Sequence, residues 1–143
     1  MGALLIFLLF CLAVGAGAFF QGRQFVRNLE RQYTTVGPVD PQEVYRCVAE
    51  AARGIRWTVS DTEQGLETRH AVGSVIRVDV EPQDDGTCMT TVFVRNMALT
   101  TQLGGIIRTP RAYRAIRRKR KRIIASASSM AGQGEWTEAG GLN

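Results

Sequence analysis

SVIRVDVEPQDDGTCMTTVFVR, residues 74–95, is the stretch that decides how this chain folds. Ile76, Val78 and Val80 alternate with Arg77, Asp79 and Glu81, the two-residue period of a strand with one face buried. Pro82 ends that run because it has no amide hydrogen to carry a ladder further. Asp84, Asp85 and Gly86 then supply turn chemistry, with Gly86 able to take a positive φ. Cys88 to Arg95 returns as a second strand, Val92 and Val94 on one face and Met89 and Phe93 on the other. The spacing predicts an antiparallel hairpin.

Two more strands precede the hairpin. Ile55, Trp57 and Val59 alternate with Arg56, Thr58 and Ser60, and residues 61–65 read as a turn. Leu66 to Val72 continues with Leu66, Thr68, His70 and Val72 on one face, and Gly73 breaks the run. A helix stands before these strands. Asp40 is its N-cap, Pro41 its first residue and Glu43 its third, and Val44, Cys47, Val48 and Ala51 form an apolar stripe. Gly54 reads as the residue that stops it. Beyond the hairpin, residues 96–108 have no clear period, and Gly104-Gly105 reads as a bend. Thr109 and Pro110 open a second helix that the pattern carries to about Ile124.

The order helix, four antiparallel strands, helix predicts an α+β domain with one covered sheet face. This order resembles the helix-grip domains, in which a curved antiparallel sheet wraps a C-terminal helix. That resemblance implies an apolar ligand held between sheet and helix. The domain is expected over residues 40–125. Residues 126–143, rich in Ser, Gly and Ala, are expected to form a flexible tail.

The N-terminal residues 3–20, ALLIFLLFCLAVGAGAFF, carry no charge. As a helix they span about 27 Å, close to the roughly 30 Å of a bilayer core. A secretory signal would start with a positive charge, and no Lys or Arg precedes this run. The small-residue string Gly15-Ala16-Gly17-Ala18 keeps cleavage and export as the alternative. Arg23, Arg27 and Arg31 follow the run, which predicts a single-pass anchor over 1–21 with its C-terminal side in the cytoplasm. Residues 22–39 are then a juxtamembrane helix and linker, with Phe25, Val26, Leu29 and Tyr33 at helical spacing and Gly37-Pro38 in the linker.

Net charge is +5, yet nine of the 18 basic residues fall between Arg108 and Arg122. The rest of the chain holds nine basic against 13 acidic residues, so the basic character belongs to one element. Arg108, Arg111, Arg114, Arg117, Arg118, Lys119, Arg120, Lys121 and Arg122 are the candidate anionic-surface residues. From Arg117 to Arg122 the charges run in succession round all sides of the helix. They predict contact with anionic lipid headgroups or an acidic protein partner. Nucleic acid offers the same phosphate electrostatics, but the segment has one aromatic, Tyr113, and no reading motif.

No catalytic residue set is legible. His70 is the sole histidine and has no nucleophile partner in sequence. Cys11, Cys47 and Cys88 lack metal-ligand spacing and read as buried thiols. Asp61, Glu63, Asp84 and Asp85 sit in turns, and Gly104-Gly105 lacks the Gly-Lys-Ser/Thr ending of a phosphate loop. Trp57 and Phe93 read as sheet residues packed on a helix, and Trp136 as an incidental tail residue. The sequence thus predicts no metal, no cofactor and a non-enzymatic adaptor or assembly domain on a membrane anchor.

Overall fold

A computed structural model describes residues 2–71, 73–95 and 103–138, with side chains described outside 22, 23, 25, 26 and 103–112. Helix α1 (Gly2–Glu30) leads directly into strand β1 (Arg31–Gly37). Helix α2 (Pro41–Ala52), strands β2 (Trp57–Thr62), β3 (Gly65–His70), β4 (Val75–Pro82) and β5 (Cys88–Arg95), helix α3 (Leu103–Ala131) and strand β6 (Glu135–Glu138) follow. The fold is α+β. Its antiparallel sheet has six strands among the described residues, in the order β2-β3-β4-β5-β1-β6.

The expected hairpin forms. β4 and β5 pair from Val75↔Arg95 to Pro82↔Cys88. Gln83 N–H bonds to Thr87 O, and Gly86 takes φ +79°. The Asp85 carboxylate accepts from the Thr87 amide and hydroxyl at 2.9 and 2.5 Å, and these bonds hold it below the usual carboxylate range. Ile76, Val78 and Val92 are fully buried on the face that both α2 and α3 cover.

Helix α2 starts as the sequence predicts, with the Asp40 carboxylate accepting from Gln42 N–H at 3.1 Å and Pro41 in the first turn. Its buried stripe is Val44, Val48 and Ala52. Its end differs from the expectation. Gly54 does not take a left-handed C′ conformation; Arg53 is the C-cap in an extended conformation, and Arg56 carries the positive φ of 68°. Side chains from elsewhere take up the terminal carbonyls, Thr68 Oγ1 donating to Ala52 O at 3.2 Å. β2 therefore begins at Trp57, and Ile55 projects into solvent, 93% exposed.

Three further expectations are corrected. The linker expected around Gly37-Pro38 shrinks to residues 38–40: residues 31–37 form β1, paired with β5 on one side and β6 on the other. Tyr33, Thr35 and Gly37 face inward, so threonine and glycine hide the alternation that Val or Ile would have displayed. Gly104-Gly105 is no bend, and Thr109-Pro110 does not start a helix; both lie inside α3. Pro110 has no hydrogen for the carbonyl four residues earlier, so α3 passes that point one backbone bond short.

Residues 126–138 are not a flexible tail. Ile123 and Ala127 extend the buried stripe, and α3 runs on to Ala131. Gly132, at φ +92°, closes it with a bond from its amide to Ser128 O at 2.9 Å. The chain then turns back along β1, where Gly134 N–H donates to the Tyr33 hydroxyl at 2.7 Å and β6 pairs. Residues 139–143 and 96–102 lie outside the described residues, as does Val72.

Candidate anionic contact surface

Helical geometry sorts the basic run of α3 into two populations. The buried stripe passes through Tyr113, Ile116, Lys119, Arg120, Ile123 and Ala127. Arg114, Arg117, Arg118, Lys121 and Arg122 are exposed, at i, i+3, i+4, i+7 and i+8, and so share one face. The sequence expectation of charge on all sides is met along the backbone, but two of the cations turn inward. Arg108 and Arg111 lie outside the described side chains.

Lys119 closes α2. Its ammonium donates to Arg53 O at 2.6 Å and Ala51 O at 3.2 Å, and lies 5.5 Å from the centre of the Trp57 ring. Cations at a helix C-terminus offset both the orphan carbonyls and the macrodipole. Burial, with Arg122 adding, holds the Lys119 ammonium below its ordinary value.

Arg120 closes α1. Its guanidinium donates through one nitrogen to Leu29 O at 3.1 Å and Arg31 O at 3.2 Å, and through the other to Asn28 O at 2.8 Å. The planar fork reaches three carbonyls at once, which an ammonium cannot match. The Trp136 ring covers it, 4.8 Å from the guanidinium carbon, and meets Tyr33 edge-on at 5.1 Å. Burial pushes the guanidinium below its ordinary value, yet from so high a starting point it remains a cation. Trp136 is thus part of the domain, covering a buried charge.

The contacts of α3 fix its direction. Arg120 meets residues 28–31, the Ser128 hydroxyl meets that of Tyr33 at 2.9 Å, and Gly132 O accepts from Thr35 Oγ1 at 3.1 Å. Helix α3 therefore runs alongside β1 in the same sense, and its residues before Arg120 lie toward the α1 end of the domain.

Residues Gly2–Gln21 of α1 form an apolar helix 20 residues long, none of it buried. At about 1.5 Å per residue it measures roughly 30 Å, long enough for a membrane span, and an N-terminal signal sequence has the same character. Leu29, in the last turn of α1, is 1% exposed and belongs to the core. No connector separates the apolar helix from the domain. Gln24, Arg27 and Asn28 recur at i, i+3 and i+4 on the outer side of α1, and with Glu30, Arg31 and Glu138 they line an open hollow of about 670 Å³. Of the three arginines expected beside the membrane, Arg27 and Arg31 are exposed here, and Arg23 lies outside the described side chains.

Side chains fill the space between sheet and helices, where Leu66, Ile76, Val44, Val48, Ile116 and Ile123 have no exposure. His70 packs on Trp57 with ring centres 4.7 Å apart, and burial, with Arg56 adding, holds its imidazole below the usual value. Among the described residues no three His, Cys, Asp or Glu side chains gather as a metal site. Cys11 is exposed on the apolar helix, Cys47 half-buried and Cys88 buried, all as free thiols. Comparisons with family models, curated proteins and solved structures find no match.

Proposed function

We propose that the chain is a membrane-anchored, non-enzymatic adaptor or assembly module, held by residues 2–21 and applying the exposed basic stripe of α3 to anionic lipid headgroups. The observation that carries this reading is the stripe itself. Five cations share one face of α3, while Lys119 and Arg120 are withdrawn from it to close other helices. Its place supports lipid as the contact: Arg114, Arg117 and Arg118 precede Arg120 and so lie on the α1 side of the domain. Each basic residue near an anionic leaflet contributes about 1 kcal/mol at most. Arg27 and Arg31 after the apolar run support a cytoplasmic domain. The filled core favours this contact reading over an apolar ligand between sheet and helix.

Photo-crosslinking in native membranes tests the contact, with Arg117→p-benzoylphenylalanine in the full chain. Lipid adducts are the expected outcome. Protein adducts alone would transfer the stripe to an acidic partner, nucleic-acid adducts to phosphate of another kind, and no adduct would end the reading. Protease treatment of spheroplasts tests the orientation. Digestion of a C-terminal tag from outside would overturn the cytoplasmic placement.

A further inference from the structure

The hollow beside the end of α1 has a charge pattern that the basic stripe lacks. Arg27 and Arg31 face it together with Glu30 and Glu138, and Gln24 and Asn28 add amide groups. Arg31 and Glu138 are even register partners across β1 and β6. Yet among the described residues the ion pairs join only Arg77 to Glu67 and Asp79, and Arg95 to Glu67. Two cations and two anions therefore surround one space without neutralising each other across it. The net charge of the lining is zero, which favours a ligand carrying both signs over an anion.

We infer that this hollow holds the headgroup of a phospholipid with a primary ammonium, a phosphoethanolamine. The inference rests on the reading of residues 2–21 as a membrane span. Height above the bilayer supports it. Gln24 and Arg27 stand three and six residues beyond the apolar stretch, about 5 and 9 Å along the helix. A headgroup layer is roughly 5–7 Å deep on each side of the core, within reach of the Arg27 side chain. The lipid phosphate, which is joined to the glycerol, sits at the level of Gln24 and Arg27, where a guanidinium binds it through two parallel bonds. The ammonium lies farther out, at the outer edge of the headgroup layer, toward which the Glu30 side chain, and above it that of Glu138, can extend. A primary ammonium offers three N–H donors to these carboxylates and to the Asn28 amide oxygen. A quaternary choline has none to offer, and an anionic headgroup gains no net attraction where two carboxylates offset the two arginines.

Native mass spectrometry of the full chain in detergent, titrated with dioleoyl phosphatidylethanolamine, phosphatidylcholine or phosphatidylglycerol, tests the site. The expected result is ethanolamine adducts exceeding choline and glycerol adducts by about fivefold, the effect of one good exposed ion pair. The double variant Glu30→Gln, Glu138→Gln should bring ethanolamine binding down to the choline level and leave glycerol binding undiminished. Arg27→Gln should lower all three. All these positions are exposed, so the variants should melt like the parent. Equal binding of ethanolamine and choline lipids by the parent chain would overturn the site, as would a preference that survives both variants. Carbonate extraction of membranes containing the full chain separates the two failures. Release into the supernatant removes the anchor and the site with it; an integral chain without the preference removes the site alone.

Discussion

Arg120 and Arg118 carry the same guanidinium two positions apart, and their replacement should have opposite consequences. Arg120→Ala strands three carbonyls at the end of α1 and uncovers the Trp136 face, a loss of about 2–4 kcal/mol. Arg120→Lys should recover only part of this, because one ammonium cannot span Asn28 and Arg31. Arg118→Gln should leave stability unchanged while weakening lipid crosslinking. Chemical denaturation of the full chain in detergent checks all three. Another single residue sets a pH response. The His70 imidazole is held below its ordinary value of 6.5 by burial and Arg56, so the unfolded chain takes up the proton first on acidification. Stability should fall as pH drops below about 6.5 until the folded-state value is passed. A thermal melt series between pH 7 and 5 should show this slope for the parent and its loss in His70→Gln. The inward turn of Arg120 is readable in the sequence after the fact. Tyr113, Ile116, Ile123 and Ala127 keep a helical period that passes through position 120, but the six-residue charge run from 117 to 122 conceals it.

At the scale of elements, local chemistry identifies those whose stabilising contacts are also local. The 74–95 hairpin has alternation and a glycine turn, and α2 has its cap; both start where the sequence places them, although the buried stripe of α2 runs through Ala52 rather than Cys47 and Ala51. β1 and β6 depend on each other and on distant groups. β1 packs Thr35 and Gly37 inward, and the four residues of β6 are all exposed. Their pairing exists because α3 returns the chain beside Tyr33, a contact between residues about one hundred positions apart in sequence. Propensity over a short window carries no trace of that. A chain ending at Gly132 should accordingly lose about 1–3 kcal/mol, from Trp136 and the β1 ladder together. Gly37 is a second element-scale test. A Cβ there would lie 2.6 Å from the Ala131 backbone, so Gly37→Val should force β1 and α3 apart and cost more than Trp136→Ala. Denaturation midpoints of the two variants decide the order.

For the whole molecule, the apolar helix and the domain are one continuous body, and the sequence concealed this by placing Gly37-Pro38 where a linker was expected. Gly37 instead ends β1 and Pro38 follows it, inside the domain. On the proposed anchoring, helical phase should therefore set which face of the domain meets the bilayer. Two alanines inserted after Gln21 would turn the domain by roughly 200° about α1, and four by a net 40° or so. Lipid crosslinking at position 117 should disappear with two and largely return with four, with unchanged melting in both. Loss with neither insertion would mean that the domain moves freely on its anchor.

The carbonyl clamp of Arg120 has a mechanical consequence. With the last turn of α1 fastened to α3 and no hinge between, on the proposed anchoring the domain acts as the long arm of a lever whose short arm lies in the lipid. A span tilts when the bilayer thins, by about 20° in ordinary cases, and a point about 10 Å to the side of its axis then rises or falls by about 3 Å. A change in membrane thickness would thus raise or lower the basic stripe against the leaflet with no ligand involved.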